Sequence, residues 1–133
     1  MKKLIWILIA VVFLTACKQD KEVKENMQEA GSVYVNITAQ QAKEIMDKEE
    51  NFVILDTRTQ EEYDEGHIPG AILIPYDEIA EKAESILTDK NQLILVYCRS
   101  GRRSKLAAED LVKLGYTSIK EFGGIIDWPY EVE

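Results

Sequence analysis

Three short stretches of this 133-residue chain hold nothing but apolar residues: Phe52-Val53-Ile54-Leu55, Ala71-Ile72-Leu73-Ile74 and Leu93-Ile94-Leu95-Val96-Tyr97. Each is too short for a helix and lacks the alternation of a half-exposed strand. Each therefore reads as a strand buried on both faces. Helical patterns lie between them. Thr38 followed by Gln41 is a capping box and predicts a helix from Ala39 to about Lys48. Thr59 with Glu62 at the third helical position predicts a helical turn ending near Asp64. Tyr76 to Leu87 reads as a helix with Ile79, Ala83, Ile86 and Leu87 on one face. Val33–Ile37 and Ser118–Phe122 read as the first and last strands. Strands alternating with helices predict an α/β fold, a mostly parallel sheet flanked by helices on both faces. In such sheets, sites form at the carboxyl ends of strands. Asp56 and Cys98 both stand at strand ends.

The stretch from Leu93 to Gly115 carries the chemistry. A buried strand delivers Cys98, then Arg99-Ser100-Gly101-Arg102-Arg103 follows, then Ser104 opens an amphipathic helix with Ala107, Leu111 and Leu114 on one stripe. A strand, a tight loop with glycine and a helix start together cradle an anion. The unpaired N–H groups of the helix N-terminus point outward with a partial positive charge of roughly half a unit. Amides and three arginines around one thiol favour the thiolate, which is the nucleophilic form. Cys98 is therefore the candidate nucleophile. The alternative is a small buried hydrophobe at a strand end, which needs no arginines beside it.

A 133-residue chain with 46% hydrophobic residues builds one domain with a real core, not two. A formal net charge of −8 argues against a nucleic-acid partner. The two cysteines, Cys17 and Cys98, and the single His67 make no convincing metal site, and nothing calls for a cofactor.

At the N-terminus, Met1-Lys2-Lys3 precedes the apolar run Leu4–Leu14, too short to span a membrane but suited to a signal-peptide core. Leu14-Thr15-Ala16-Cys17 resembles the bacterial lipoprotein box, which implies cleavage after residue 16 and lipidation of Cys17. Two or more acyl chains on Cys17 suffice for stable anchoring. Losing residues 1–16 removes Lys2 and Lys3 and no acid, leaving 14 basic against 24 acidic residues, or −10. Residues 17–31 read as the lipidated cysteine and a charged tether, and residues 32–133 as the folded domain. The expectation is an exported protein held at a bacterial membrane.

The ordered blocks identify a resemblance. Ile54-Leu55-Asp56-Thr57-Arg58, Glu62-Tyr63 and Gly66-His67-Ile68-Pro69-Gly70-Ala71 resemble the first block of single-domain rhodanese-like sulfurtransferases. Val96-Tyr97-Cys98-Arg99-Ser100-Gly101-Arg102-Arg103-Ser104 resembles their active-site loop. Ala107-Ala108, Leu111, Gly115-Tyr116, Gly123-Gly124 and Trp128 resemble the closing block. Thr57 departs from the aliphatic residue commoner there.

The resemblance implies a five-stranded parallel sheet and a reaction without cofactor. Cys98 takes the outer sulfur of a small anionic donor such as thiosulfate, and cyanide or a thiol removes it. Backbone N–H groups from Arg99 to Ser104 then steady the negative terminal sulfur. Arg102 or Arg103 is placed to grip the donor's oxygens. The six-residue loop from Cys98 to Arg103 is one residue shorter than that of the phosphatase and arsenate reductase relatives. A tighter ring suits a single sulfur atom. The competing class is a non-catalytic persulfide carrier or docking module.

Of the supporting residues, Asp56 either shapes the site near the loop or satisfies backbone donors at its strand end. Arg58 is expected to pair with an acid such as Glu62. His67 is expected to be a hydrogen-bonded turn residue, because the reaction requires no base. Arg99 and Ser100 are expected to face solvent and tune substrate choice.

Overall fold

The computed structural model describes residues 34–133. The reading of residues 1–31 as signal, Cys17 and tether lies outside them. The elements run β1 (Tyr34–Asn36), α1 (Ala39–Lys48), β2 (Phe52–Asp56), α2 (Gln60–Glu65), β3 (Ile72–Leu73), a 3-10 turn (Tyr76–Glu78), α3 (Ile79–Ile86), β4 (Leu93–Cys98), α4 (Arg102–Lys113), β5 (Ile119–Gly124) and a second 3-10 turn (Ile125–Asp127). The five strands form one sheet in the order β1-β5-β4-β2-β3, and every pair is parallel.

The apolar runs are explained by two cores, one on each face. Leu55, Ile94, Val96 and Ile119 point to one side, where they pack with Ile79 and Ala83 of α3 and Ala107, Ala108 and Leu111 of α4. Ile54, Leu95, Tyr97 and Phe122 point to the other, against Ala42 of α1, Ile68 and Trp128. Successive strand residues alternate faces, so a strand covered on both sides favours apolar residues at successive positions. The indole of Trp128 sits on this second core, with its ring centroid 5.6 Å from that of Phe122.

The caps form as the sequence predicts. Thr38 and Gln41 complete a reciprocal capping box, and the Thr59 hydroxyl accepts the Glu62 amide. The strand expected over Ala71–Ile74 is a half-buried pair at the sheet edge, Ile72–Leu73, and the last strand runs on from Phe122 through Gly124. Two helix boundaries also differ. The segment expected to be one helix over 76–87 opens as the 3-10 turn and becomes α-helical only from Ile79. That helix ends at Ile86. The non-helical backbone of Leu87 turns the leucine inward at 4% exposed, and Ile86 is left 48% exposed rather than on the buried face. The second difference is that α4 starts at Arg102 rather than Ser104, because Gly101 already serves as its N-cap.

Candidate active site

Cys98 closes β4 and pairs with Gly124 across an irregularity in the β4–β5 register. The chain then turns back within Arg99-Ser100-Gly101 into α4. Gly101 takes a left-handed conformation, φ +107°, which side chains with a Cβ rarely adopt. It offers α4 no side-chain cap, and the first turn of that helix holds no acid. The helix's leading amides are thus left for something else. A second glycine fixes the loop from the other side. A Cβ on Gly124 would lie 2.0 Å from the Arg99 carbonyl oxygen, so only glycine lets β5 pass this close.

The thiol occupies the cradle so formed. Gly101 N–H donates to Cys98 Sγ at 3.0 Å. Burial pushes the thiol pKa up, since Cys98 is 1% exposed. Hydrogen bonds from the Ser104 hydroxyl and amide and from the Gly101 and Ser100 amides outweigh that, and the net direction is down from the ordinary value. Arg103 adds a nearby positive charge. Beside the loop lies a basin of about 390 Å³ lined by Arg99, Arg103, Glu62, Ile125 and Ile126 among others. Cys98 does not line that basin. Arg99 and Arg103, which flank it in the loop, do.

A family model of the rhodanese-like domain matches residues 38–129, which contain every element of this site. The chain belongs to the rhodanese-like family. It is similar to the putative sulfur carrier protein YrkF of Bacillus subtilis, 36% identical over 110 residues that cover 82% of this chain and 58% of that protein. The chain therefore spans less than two thirds of that relative's length. It is also similar to thiosulfate sulfurtransferase PspE of Escherichia coli, 41% identical over 55% of this chain and 70% of that protein. Among solved structures, a rhodanese with anions from E. coli matches with a TM-score of 0.58 at 36% identity, covering 62% of this chain and 96% of that one. A rhodanese-related protein from Thermoplasma volcanium matches with a TM-score of 0.65 at 31% identity, covering 75% of this chain and 98% of that one.

Within this rhodanese-like frame, the arginines do not all stand where expected. Arg58 does not pair with Glu62. Its guanidinium grips Asp56 (Nη2 to Oδ2 2.7 Å, Nε to Oδ1 3.0 Å) and reaches the Gly66 carbonyl oxygen at 2.7 Å. The expected pairing rested on helical spacing. Arg58 instead precedes the helix, in the turn after β2, and that turn folds it back on its own strand end. Glu62 is taken by Arg103 in a two-pronged pair, Nη1–Oε1 2.7 Å and Nη2–Oε2 2.9 Å. The Arg103 guanidinium holds the Glu62 carboxyl down to about 2. Its fork is therefore engaged and not free to grip a donor's oxygens. Arg99, Arg102 and Ser100 are exposed as expected for Arg99 and Ser100, and among the described residues neither Arg99 nor Arg102 has an ion-pair partner.

Asp56 is fully buried and serves the frame rather than the loop. Besides Arg58, it accepts the Tyr97 hydroxyl at 2.5 Å. Burial, then that bond, pushes the Tyr97 phenol up. The same oxygen accepts the Ile68 amide at 3.1 Å, tying the turn before β3 to β4. His67 behaves as a turn residue. Its ring stacks on Tyr63 with centroids 3.8 Å apart, Nδ1 lies 3.0 Å from the Tyr63 carbonyl oxygen, and Nε2 lies 3.3 Å from Glu133. Thr57, the departure from the commoner aliphatic residue, sends its hydroxyl to the Tyr97 carbonyl at 2.8 Å. The buried hydroxyl of Thr57 is thus satisfied within the sheet.

Sequence reasoning missed Tyr97 as a hydrogen-bonding hub and Glu121 altogether. Glu121 is 2% exposed and accepts the Ser104 hydroxyl at 2.6 Å. The available signal was a carboxylate, next to Lys120, inside a strand covered on both faces.

Proposed function

We propose that the protein is a rhodanese-type sulfurtransferase that works through a persulfide on Cys98. The carrying observation is the Gly101 N–H···Sγ contact of 3.0 Å at the uncapped start of α4. A cradle of amides at a helix N-terminus stabilises one negative charge on sulfur before and after transfer. In the first half-reaction the Cys98 thiolate attacks the outer sulfur of thiosulfate. The S–S bond of the donor breaks, sulfite leaves with its electron pair, and Cys98–S–S⁻ remains. In the second, cyanide or a thiolate attacks the terminal sulfur. Thiocyanate or a new persulfide departs, and the Cys98 thiolate is restored. No proton is transferred, which fits a His67 held in a turn with Tyr63 and Glu133. Exposed Arg99 and Arg102 draw the anionic donor toward the loop.

Exposing the protein to thiosulfate and measuring intact mass tests the first step. A gain of one sulfur, absent in Cys98→Ser, is expected. No gain in the wild type defeats the proposal. The similarity to a putative sulfur carrier favours a second reading, in which Cys98 accepts and hands on one sulfur without sustained turnover. Steady-state thiocyanate production from thiosulfate and cyanide separates the two.

The anchoring expected from Leu14-Thr15-Ala16-Cys17 is part of the proposal: an exported domain tethered to a membrane through lipid on Cys17. Release of the protein into the soluble fraction in Cys17→Ser is the expected result.

A further inference from the structure

The basin of about 390 Å³ beside the active-site loop is walled mostly by charge: Arg58, Glu62, Glu65, Arg99 and Arg103 all line it. Three of these are neutralised within the protein, Arg58 by Asp56 and Arg103 by Glu62 in the pair they share. Arg99 and Glu65 are exposed, and among the described residues neither enters an ion pair. They line one basin with opposite signs and do not meet. Glu65 is also the last residue of α2, where no basic residue offsets it. An acid there opposes the helix dipole, so helix stability does not favour it. The rest of the wall is apolar. Ile126 is 62% exposed, and its amide donates to the Arg99 carbonyl oxygen at 3.3 Å, which sets it beside the arginine.

These features bear differently on the two substrates of a sulfur transfer. A thiosulfate dianion is drawn by Arg99 and repelled by Glu65, and cyanide is likewise only an anion. Neither gives the Glu65 carboxylate a partner. A molecule with both an ammonium and a carboxylate complements the two charges at once. The volume lies near the low end of the range of small-molecule sites, about 300–1,000 Å³, and suits a thiol of amino-acid or short-peptide size. Arg99 follows Cys98 directly in the chain, so a molecule held by Arg99 lies against the loop that presents the sulfur.

We propose that this basin seats the sulfur acceptor, and that the acceptor is a small thiol bearing both a carboxylate and an ammonium, as an α-amino acid does. Arg99 takes the carboxylate, Glu65 the ammonium, and Ile126 the hydrocarbon between them. This deepens the sulfurtransferase reading and rests on it. The acceptor thiolate attacks the terminal sulfur of Cys98–S–S⁻. A new S–S bond forms, the bond to Cys98 Sγ breaks, and the Cys98 thiolate leaves with the electron pair. The acceptor departs as its own persulfide anion, so two negative charges enter the step and two leave it. The Arg99 cation offsets the repulsion of the two anions as they approach.

The test loads the full chain with thiosulfate, removes the donor, and follows loss of the added sulfur by rapid quench and intact mass, with Cys98→Ser as the blank. Four acceptors are compared: cysteine, N-acetylcysteine without the ammonium, cysteamine without the carboxylate, and 2-mercaptoethanol with neither. Each rate is divided by that of the same thiol attacking a small free disulfide at the same pH, which cancels thiolate fraction and intrinsic nucleophilicity. Cysteine is expected to exceed N-acetylcysteine and cysteamine by about threefold each and 2-mercaptoethanol by about tenfold, the scale of exposed ion pairs. In Glu65→Gln the cysteine to N-acetylcysteine ratio is expected to fall to about one, and in Glu65→Lys to invert, while the cysteine to cysteamine ratio persists. Arg99→Gln is expected to collapse the second ratio and keep the first. A merely structural loss would lower all four rates together and leave the ratios standing. Equal corrected rates in the wild type, or a cysteine to N-acetylcysteine ratio that survives in Glu65→Gln, overturn the proposal. A loaded Cys98 that transfers without discrimination defeats this proposal alone, whereas a Cys98 that never gains sulfur defeats the sulfurtransferase reading beneath it.

Discussion

Replacing Glu62 by Gln isolates the ion pair that fixes Arg103. The carboxyl sits at about 2 in the folded protein against an ordinary 4.5. At about 1.36 kcal/mol per unit, a difference of about 2.5 units sets an upper bound near 3.4 kcal/mol. The side chains are 18% and 26% exposed, so solvent screening reduces this to about 1–2 kcal/mol. The folded pKa is depressed, so the stabilisation is fully present above the unfolded value and is lost as pH falls through the folded one. Urea unfolding of wild type and Glu62→Gln should therefore differ by about 1–2 kcal/mol at neutral pH in low salt. That difference should begin to shrink below pH 4.5 and be nearly gone at pH 2, bracketed by the two values. Taking the difference between the two proteins cancels the other carboxylates. A penalty constant from neutral pH down to the acid limit would refute the reasoning, because it would assign the loss to shape and not to charge.

Gly124→Ala drives a Cβ to within 2.0 Å of the Arg99 carbonyl oxygen. It should cost about 1–3 kcal/mol by thermal or urea unfolding, and persulfide formation on intact mass should fall at least tenfold as the loop is displaced. Tyr97→Phe removes the hydroxyl that bonds Asp56 and the Ile68 amide. It should destabilise by about 1–3 kcal/mol in urea, since two buried groups lose a partner, with little change in Cys98 alkylation. A thiol 1% exposed should react readily with small iodoacetamide and much more slowly with bulky aromatic disulfides in a stopped-flow comparison.

The features visible in the sequence were those written locally. Thr38–Gln41 and Thr59–Glu62 are three residues apart, and each cap forms. The unbroken apolar runs declared β2, β3 and β4 because burial on both faces favours apolar residues at successive positions. Cys98 to Ser104 spans seven consecutive positions, and its glycine and its helix start are contiguous with the thiol. Pairings across the chain were not visible. Arg103 and Glu62 are 41 positions apart, as are Tyr97 and Asp56, and Ser104 and Glu121 are 17 apart. Helical spacing offered Arg58 and Glu62 to each other, and the turn after β2 gave each a different partner. Ile86 was misplaced for a related reason: periodicity locates a face but not the residue at which the helix stops.

The order of the strands bears on biosynthesis. Of the five strands β1 is made first, yet among the described residues its only neighbour in the sheet is β5, the last of the five. Until Ile119–Gly124 leaves the ribosome, β1 has no ladder to join, and the reactive turn lacks the glycine backbone it rests against. Closure of so distant a pair is slow compared with local helix formation. A nascent chain halted before Ile119 would thus display α1 and the central strands without a competent thiol, and reactivity would switch on only once β5 has emerged and docked.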